Sequence, residues 1–321
     1  MYLISSGKYR GCDTVAGKKK KILDDNFIMS PKYDFVFKYI FGNEKHKDLS
    51  IALLSDILAV PEEEFEGIEI INSELIKEFK EDRKGILDVR IKTKLGKQID
   101  VEIQILPTEY MAERTIFYWS KMYTGQIKPG DTYDKLKKCV TINIVDFKCT
   151  PLNKLYSSYH ITEDETGYRL TDILEVYFLE LPKRFDEDVK KDEDDPIVQW
   201  MEFLDARTKG EVEMLAKKNK DIKKAYDLLQ IISKDEKARM LYEAQQAEIS
   251  DQLTRIKVAE AKGKAEGKAE GKAEGKAEGK KVAKEEDAIN FLKLGVDEEI
   301  IAKGTGLSME RILELKKKYQ N

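Results

Sequence analysis

Histidine and cysteine are scarce in this chain, which has two histidines and three cysteines among 321 residues. The cysteines, Cys12, Cys139 and Cys149, are odd in number and form no CxxC pair, which favours reduced structural thiols over disulfides or zinc ligands. The two histidines, His46 and His160, are too few to favour an imidazole-based zinc or iron centre. A metal site is therefore expected to use oxygen ligands, which suit a hard cation such as magnesium or manganese.

Long apolar runs are also lacking. No run approaches the roughly 20 residues needed to cross a bilayer, and the start of the chain lacks the apolar segment of a signal peptide. We therefore expect a cytoplasmic protein without a membrane partner. The net charge of −4 argues against a protein that coats nucleic acid nonspecifically, because that mode needs a basic surface with many phosphate contacts. Any contact with nucleic acid is expected to be local.

The sequence pattern changes several times along the chain. Lysine-rich, aperiodic residues precede Met29, so Met1 and Met29 are alternative starts. A mixture of helical and alternating patterns follows, and a helical pattern takes over after Pro196. We predict five regions: a disordered leader in residues 1–28, an α/β core in 29–182, a helical region in 183–262, a KAEG-repeat linker or marginal helix in 263–281, and a small helical tail in 282–321.

The repeat consists of four consecutive KAEG copies in residues 264–279. Each glycine costs about 1 kcal/mol relative to alanine in a helix, and every charged pair four residues apart has like charge. We expect a solvated linker or a frayed helix, because a coiled-coil stalk would need an apolar heptad. In the tail, the helices around "GTGLS" are spaced as in a helix-turn-helix, which fits DNA reading or a small packing or dimerisation module.

Apolar spacing predicts the elements of the core region. The stretch "SPKYDFVFKYIFGNEKHKDLSIALLSDIL" predicts two short helices with a break near Gly42 and Asn43. A β-prone segment in residues 68–79 leads into a hairpin in residues 85–106, and "TEYMAERTIFYWSKMYTGQ" predicts a helix. A buried strand follows in "KKCVTINIVDF". The predicted order is helix, three strands, helix and strand, and "YRLTDILEVYFLEL" adds at least one more strand.

The hairpin places acidic side chains on one face of each strand. Because side chains alternate along a strand, Asp88 lies on the polar face of the first strand, and Glu102 lies on that of the second. A three-residue turn at residues 94–96 pairs residue 93 with residue 97, which sets Asp88 opposite Glu102. Opposed Cβ atoms are about 4.5 to 5.5 Å apart, so the two carboxylates would repel unless a cation lay between them. This favours a divalent cation, although an ordinary hairpin with one solvated face needs no metal.

Four stretches occur together in the order and at the spacing of one known family: "YDFVFKYIFG", "LDVRIKTKLGKQIDVEIQ", "YMAERTIFYWSKMY" and "GDTYDKLKKCVTINIVDF". On these motifs, from about Met29 to Phe147, the chain resembles the recombination-promoting nuclease and transposase family of the PD-(D/E)xK nuclease superfamily. The resemblance implies an α/β fold with a restriction-endonuclease-like αβββαβ core, here in residues 29–182 with added strands, followed by a helical C-terminal region. It also implies hydrolysis of DNA phosphodiester bonds with magnesium as cofactor, or manganese in its place.

The resemblance assigns roles along the hairpin. Asp88 matches the central Asp of the family motif, Glu102 matches its (D/E), and Gln104 takes the lysine position. The amide of Gln104 cannot abstract a proton, but it can orient the attacking water or a phosphate oxygen. Magnesium prefers about six oxygen ligands and keeps several waters, so Asp88, Glu102 and the carbonyl of Ile103 suffice as protein ligands. Asp100 shares a face with Glu102, but we expect it at the open end of the strand and leave it out of the site.

The two core helices add further candidates. Asp34 matches the acidic residue that the first helix contributes to such sites, although it also fits a helix N-cap. Lys38, four residues on, can reach a phosphate or pair with Asp34. Arg114 and Tyr118 share a face of the second helix, with Lys121 beside it, and together they can clamp the DNA backbone. The same pattern also fits a helix whose aromatic residues pack in the core while the charged end of Arg114 reaches the solvent, with no contact to DNA.

Two functions from different classes fit this sequence. The first is a magnesium-dependent DNA endonuclease that promotes recombination in the manner of a transposase. The second is a catalytically weak nuclease-fold protein that acts as a DNA-binding or self-assembly module. The complete acidic motif favours the first, whereas the acidic overall charge and the long charged helices suit the second. DNA is the expected partner, and we expect a homo-oligomer, specifically a dimer, formed through the helical region.

Overall fold

A computed structural model describes residues 26–71 and 89–319 of the chain. Most of the predicted leader, residues 1–25, lies outside the described part. Phe27 and Ile28, which fall within the predicted leader, pack against the hydrophobic core. The boundary of the leader at residue 28 stays a prediction. The chain divides into two compact units between Ile249 and Ser250.

The first unit contains a mixed β-sheet. Its strands are β1 Glu69–Ile71, β2 Val89–Lys92, β3 Gln98–Gln104, β4 Cys139–Val145, β5 Tyr156–Tyr159 and β6 Leu174–Glu180. Their spatial order is β1-β2-β3-β4-β6-β5. The pairs β3/β4 and β4/β6 are parallel, and the other neighbouring strands are antiparallel. The short strand β5, which the sequence analysis did not predict, pairs with β6.

Helices precede, interrupt and follow these strands. They are α1 Asp34–Phe41, α2 Lys47–Leu58, α3 Met111–Thr124, α4 Pro196–Asp205, α5 Lys209–Lys218 and α6 Lys220–Lys234. The predicted break after the first helix is confirmed: α1 ends at Phe41 with Gly42 as its C-cap, and the Asn43 side chain accepts from Lys45 N at 3.0 Å. Asp195 caps α4 by accepting from Ile197 N at 2.8 Å. The α/β class with additional helices, predicted from the sequence, is confirmed.

The two faces of the sheet differ. Ile99, Val101 and Ile103 of β3, together with Ile142 and Ile144 of β4, point into a large core shared with α1, α2 and α4 to α6. Helix α3 covers the opposite face, where a smaller apolar cluster joins it to β4 and β6. Because helices cover both faces, every residue of β4 is buried. The polar side chains of the central strands are therefore enclosed beneath α3.

A long helix, α7 Glu236–Lys293, contains all four KAEG copies, and every residue of the repeat is exposed. The repeat is thus helical in the structure. In the second unit α8 Glu298–Thr305 and α9 Met309–Tyr319 follow, and a small core is built from Ala288, Ile301, Ile312 and Leu315. Over the described ranges, no helix combines the length and the apolar character that a membrane crossing requires.

Candidate active site

The sheet face under α3 carries acidic side chains in the middle of β3. Asp100 and Glu102 alternate with the apolar residues of the main core, so their side chains point to the α3 side. Only 1% of Asp100 and 3% of Glu102 is exposed. Charged side chains are rarely buried unless they are paired or bind metals, because removing them from water is unfavourable. This buried acidic face is the candidate site.

The register predicted for the hairpin is confirmed in the described strands. Val89 pairs with Val101 and Ile91 with Ile99, as the three-residue turn requires. Gly96 in this turn has a φ of 86°, in the left-handed region that favours glycine. Asp88, the residue directly before β2, lies outside the described residues, so its position opposite Glu102 stays a prediction.

Glu102 takes part in a buried ion pair. Nη2 of Arg114, on α3, donates a hydrogen bond to Glu102 Oε1. Glu102 Oε2 has no hydrogen-bond partner within the described part of the chain. Burial raises the pKa of Glu102, and the positive charges of Arg114 and Lys38 oppose this rise without cancelling it. The described residues therefore compensate the Glu102 carboxylate only in part.

Two contacts fix α3 above the site. Trp119 Nε1 donates to a backbone carbonyl at the start of β4 at 3.0 Å. The hydroxyl of Thr115 lies 3.0 Å from Asn143 Oδ1, and Asn143 is the β4 neighbour of Glu102 in the parallel register. Since Arg114 directly precedes Thr115 in the helix, these contacts hold its side chain near Glu102.

The three predicted DNA contacts of α3 lie in two small clusters. The Arg114 guanidinium lies 5.4 Å from the centroid of the Tyr118 ring, which confirms that these residues share a face. The Lys121 ammonium lies 5.5 Å from the ring centroid of Phe117. Arg114 is also bonded to Glu102, so the structure brings it to the acidic residues of the hairpin. Contact of these side chains with DNA stays a prediction.

Asp34 is the first residue of α1, and Tyr33 occupies the N-cap position. The interpretation of Asp34 as an N-cap is therefore wrong. Its Oδ1 lies 2.6 Å from Lys38 Nζ, so the ion pair considered for these two residues is present. The effect of the Lys38 charge on the pKa of Glu102 links this pair electrostatically to the buried acidic face. A catalytic role for Asp34 and a phosphate contact for Lys38 stay predictions.

The last residues of β3 lie beside β4. Ile103 is buried and pairs with Ile144. The Gln104 amide nitrogen donates to the carbonyl of Leu106, just after the end of β3, at 2.9 Å. The backbone carbonyl of Gln104 accepts from Asp146 N at 2.9 Å. The roles predicted for the Gln104 amide and the Ile103 carbonyl are untested by this arrangement.

Asp100 was placed wrongly by the sequence analysis. It lies inside the sheet rather than at the open end of the strand, between Arg90 of β2 and Thr141 of β4 in the register. Burial raises the pKa of Asp100 well above its ordinary value, and the nearby charge of Glu102 raises it further, against the effects of Arg90 and Arg114. The sequence signal for Asp100 was its position two residues before Glu102, which puts both side chains on the same face of β3.

The donor set of this face fits a divalent cation when one further ligand is added. Within residues 26–71 and 89–319, no three Asp, Glu, His or Cys side chains are grouped so as to hold a metal ion. Asp100 and Glu102 nevertheless offer carboxylate oxygens without hydrogen-bond partners among those residues. Such oxygens are the ligands that magnesium and manganese prefer. Asp88 is the predicted additional ligand and belongs to the undescribed segment.

A mixed sheet with buried acids on a hairpin strand is consistent with an α/β protein of the nuclease class. A family model described as PD-(D/E)XK nuclease family transposase matches residues 31–259. Because this match covers more than half of the 321 residues, the chain belongs to that family. Searches of curated proteins and of solved structures gave no match to the chain.

Family membership confirms the resemblance found in the sequence motifs. It supports a nuclease-like transposase, with hydrolase activity and DNA binding as family properties. PD-(D/E)XK nucleases generally use divalent metal ions. The match extends from α1 into α7, so it includes the helices that follow the sheet.

Proposed function

We propose that this protein is a magnesium-dependent DNA endonuclease that hydrolyses phosphodiester bonds and thereby promotes recombination. Manganese is the expected substitute for magnesium. The observation that carries the proposal is Glu102, a buried carboxylate on the hairpin strand with one oxygen unpartnered among the described residues. In this proposal the αβββαβ nuclease core supplies the site, and the family match gives independent support.

The metal ligands in this proposal are Asp88, Glu102 and the carbonyl of Ile103. When bound, the ion lowers the pKa of a coordinated water and polarises the phosphoryl oxygens. Gln104 orients the attacking water or a phosphate oxygen through its amide. Asp34 completes the acidic set as a catalytic residue.

Four side chains bind the DNA backbone in this proposal: Lys38, Arg114, Tyr118 and Lys121. Arg114 is suited to this role because a guanidinium forms two parallel hydrogen bonds to a phosphate. A metal bound to Glu102 would supply the charge that Arg114 now supplies, which would leave the guanidinium available for a phosphate. In this proposal Arg114 stabilises the metal-free site and contacts the DNA backbone in the complex.

A second function is favoured by the ion pair between Arg114 and Glu102. A guanidinium that permanently neutralises the carboxylate would stabilise the fold without a metal. The protein would then be a catalytically weak nuclease-fold module for DNA binding or self-assembly. For either function we further propose that the protein forms a homodimer through the helical region. Size-exclusion chromatography of the full chain with light scattering would measure this oligomeric state.

A plasmid-nicking assay tests the proposed activity. The purified full chain should convert supercoiled plasmid to nicked or linear DNA with magnesium or manganese, and it should show no conversion with chelator. Glu102→Gln and Asp88→Asn should reduce conversion to background while the circular-dichroism spectrum stays unchanged. Glu175→Gln, which alters a buried carboxyl on β6, is the matched control and should still cleave. DNA binding by the wild type without cleavage under every metal condition would favour the second function.

A further inference from the structure

Asp100 has a buried carboxyl group for which the described chain provides no hydrogen bond. Only 1% of the residue is exposed, and neither Oδ1 nor Oδ2 has a hydrogen-bond partner among the described residues. An ionised carboxylate in such a place is strongly unfavourable unless a cation or hydrogen-bond donors compensate it. The family assignment of roles does not explain this group.

The neighbours of Asp100 in the sheet give its oxygens no hydrogen bond. Arg90 of β2 pairs with Asp100 in the register, but the Arg90 guanidinium donates through Nη2 to Gln98 Oε1. On the other side lies Thr141 of β4, whose hydroxyl is itself unpartnered within the described residues. Arg90 Nε is likewise unpartnered in that part of the chain. The polar groups around Asp100 are thus present, but they do not bond to its oxygens.

Glu102 lies next to Asp100 on the same face of β3. Residues two apart on a strand are separated by about 7 Å, and their side chains point the same way. Glu102 Oε2 and both oxygens of Asp100 are unpartnered in the described chain, which gives three acceptor atoms on one strand face. Divalent cations contact carboxylate oxygens at about 2.0 to 2.6 Å, and both side chains leave the same face of β3, so one ion can bind both of them.

We propose that Asp100 is a further metal ligand, which binds with Glu102 to the same divalent cation. The inference rests on the proposed nuclease function, since it adds a ligand to that metal site. In this inference Asp100 binds the ion from the interior of the sheet, two residues before Glu102 on the same strand. Because the ion neutralises Asp100, its binding removes the unfavourable burial of this carboxylate.

The competing explanation is a structural ion pair between Asp100 and Arg90, formed after a rotation of the arginine side chain. The two explanations differ in the metal-free protein. If Asp100 is a metal ligand, its buried carboxylate destabilises the metal-free protein, so replacing Asp100 stabilises the fold. If Asp100 is instead the ion-pair partner of Arg90, replacing it leaves a buried guanidinium without a carboxylate and destabilises the fold.

Thermal unfolding and calorimetric titration of the full chain with manganese distinguish these explanations. Asp100→Asn should unfold at a higher temperature than the wild type in chelator, and manganese should raise its unfolding temperature less. Its affinity for manganese should fall about tenfold or more. Glu175→Gln is the control: it removes a buried carboxyl that is paired with Lys138, so it should lower stability and leave manganese affinity unchanged.

Two results for Asp100→Asn overturn the inference. One is lower stability than the wild type in chelator, or failure to fold there; the other is an affinity for manganese equal to that of the wild type. Arg90→Gln should lower stability as much as Asp100→Asn if the ion pair is the correct explanation. If Glu102→Gln loses the manganese response and Asp100→Asn keeps it, this inference fails while the proposed function stands. If wild type and Glu102→Gln respond to manganese alike and both cleave, the assignment of Glu102 to the metal site fails. If the wild type does not cleave plasmid with magnesium or manganese, the proposed function itself fails.

Discussion

Replacing Arg114 by methionine should destabilise the metal-free protein because Glu102 would lose its cation. Removing one partner of a buried pair costs about 3–5 kcal/mol in the free energy of unfolding. The Arg114 side chain is 33% exposed, whereas that of Glu102 is 4% exposed, so water reaches one end of this pair. We therefore expect a smaller loss of about 2 kcal/mol, close to that of a single hydrogen bond to a charged group.

Urea unfolding in chelator measures this loss in a double-mutant cycle of Arg114→Met, Glu102→Gln and the combined variant. The two single changes should be coupled by about 1–2 kcal/mol, since the residues are in direct contact. Arg169→Met is the control, because Arg169 is half exposed and 3.9 Å from its partner, and it should change stability by less than about 0.5 kcal/mol.

Magnesium supplies a second measurement on the same variants. If Arg114 and the metal compete for Glu102, the Arg114→Met protein should gain more stability from magnesium than the wild type does. An Arg114→Met protein as stable as the wild type in chelator, or additive effects in the cycle, would refute the assignment of this pair as the main compensation of Glu102.

Three further predictions concern other parts of the structure. Burial alone would raise the pKa of Glu175, but its paired lysine and histidine lower it below the ordinary value. Its contribution to stability should therefore be present above about pH 4.5 and be lost as the pH falls through the folded pKa; urea unfolding of wild type and Glu175→Gln should converge in acid. Lys183→Met should cost about 3–5 kcal/mol because it leaves the buried Glu180 carboxylate without its cation, whereas Lys148→Met at an exposed pair should cost less than about 1 kcal/mol in the same assay. Alanine at three of the KAEG glycines, where nothing lies within 4 Å of an added Cβ, should stabilise α7 by about 1 kcal/mol per site, seen as slower amide exchange; unchanged exchange would contradict a stable helix there.

The hairpin shows how much of the site could be predicted from the sequence. Its register follows from a three-residue turn and from the alternation of side chains, which are properties of neighbouring residues. The structure pairs Val89 with Val101 accordingly. The same local reasoning placed Arg114 and Tyr118 on one helix face. Strand β5 was missed because it has four residues, and its pairing with β6 depends on a segment about twenty residues away in the chain.

Asp100 and Arg114 show what the sequence left undecided. Alternation predicted a polar face of β3, but it gave no information on whether that face meets water. The face is buried because α3 and β4, which come later in the chain, pack beside it. The same packing turns Arg114 to a carboxylate rather than to solvent.

The acidic motif, the hairpin register and the family of the chain can be read from residue identity and short spacing alone. Which polar groups are buried, and which of them have a neighbouring opposite charge, becomes known from the folded arrangement. Burial depends on elements brought together from distant parts of the chain, and a carboxylate changes from a solvated surface group to a candidate metal ligand only when those elements exclude water from it.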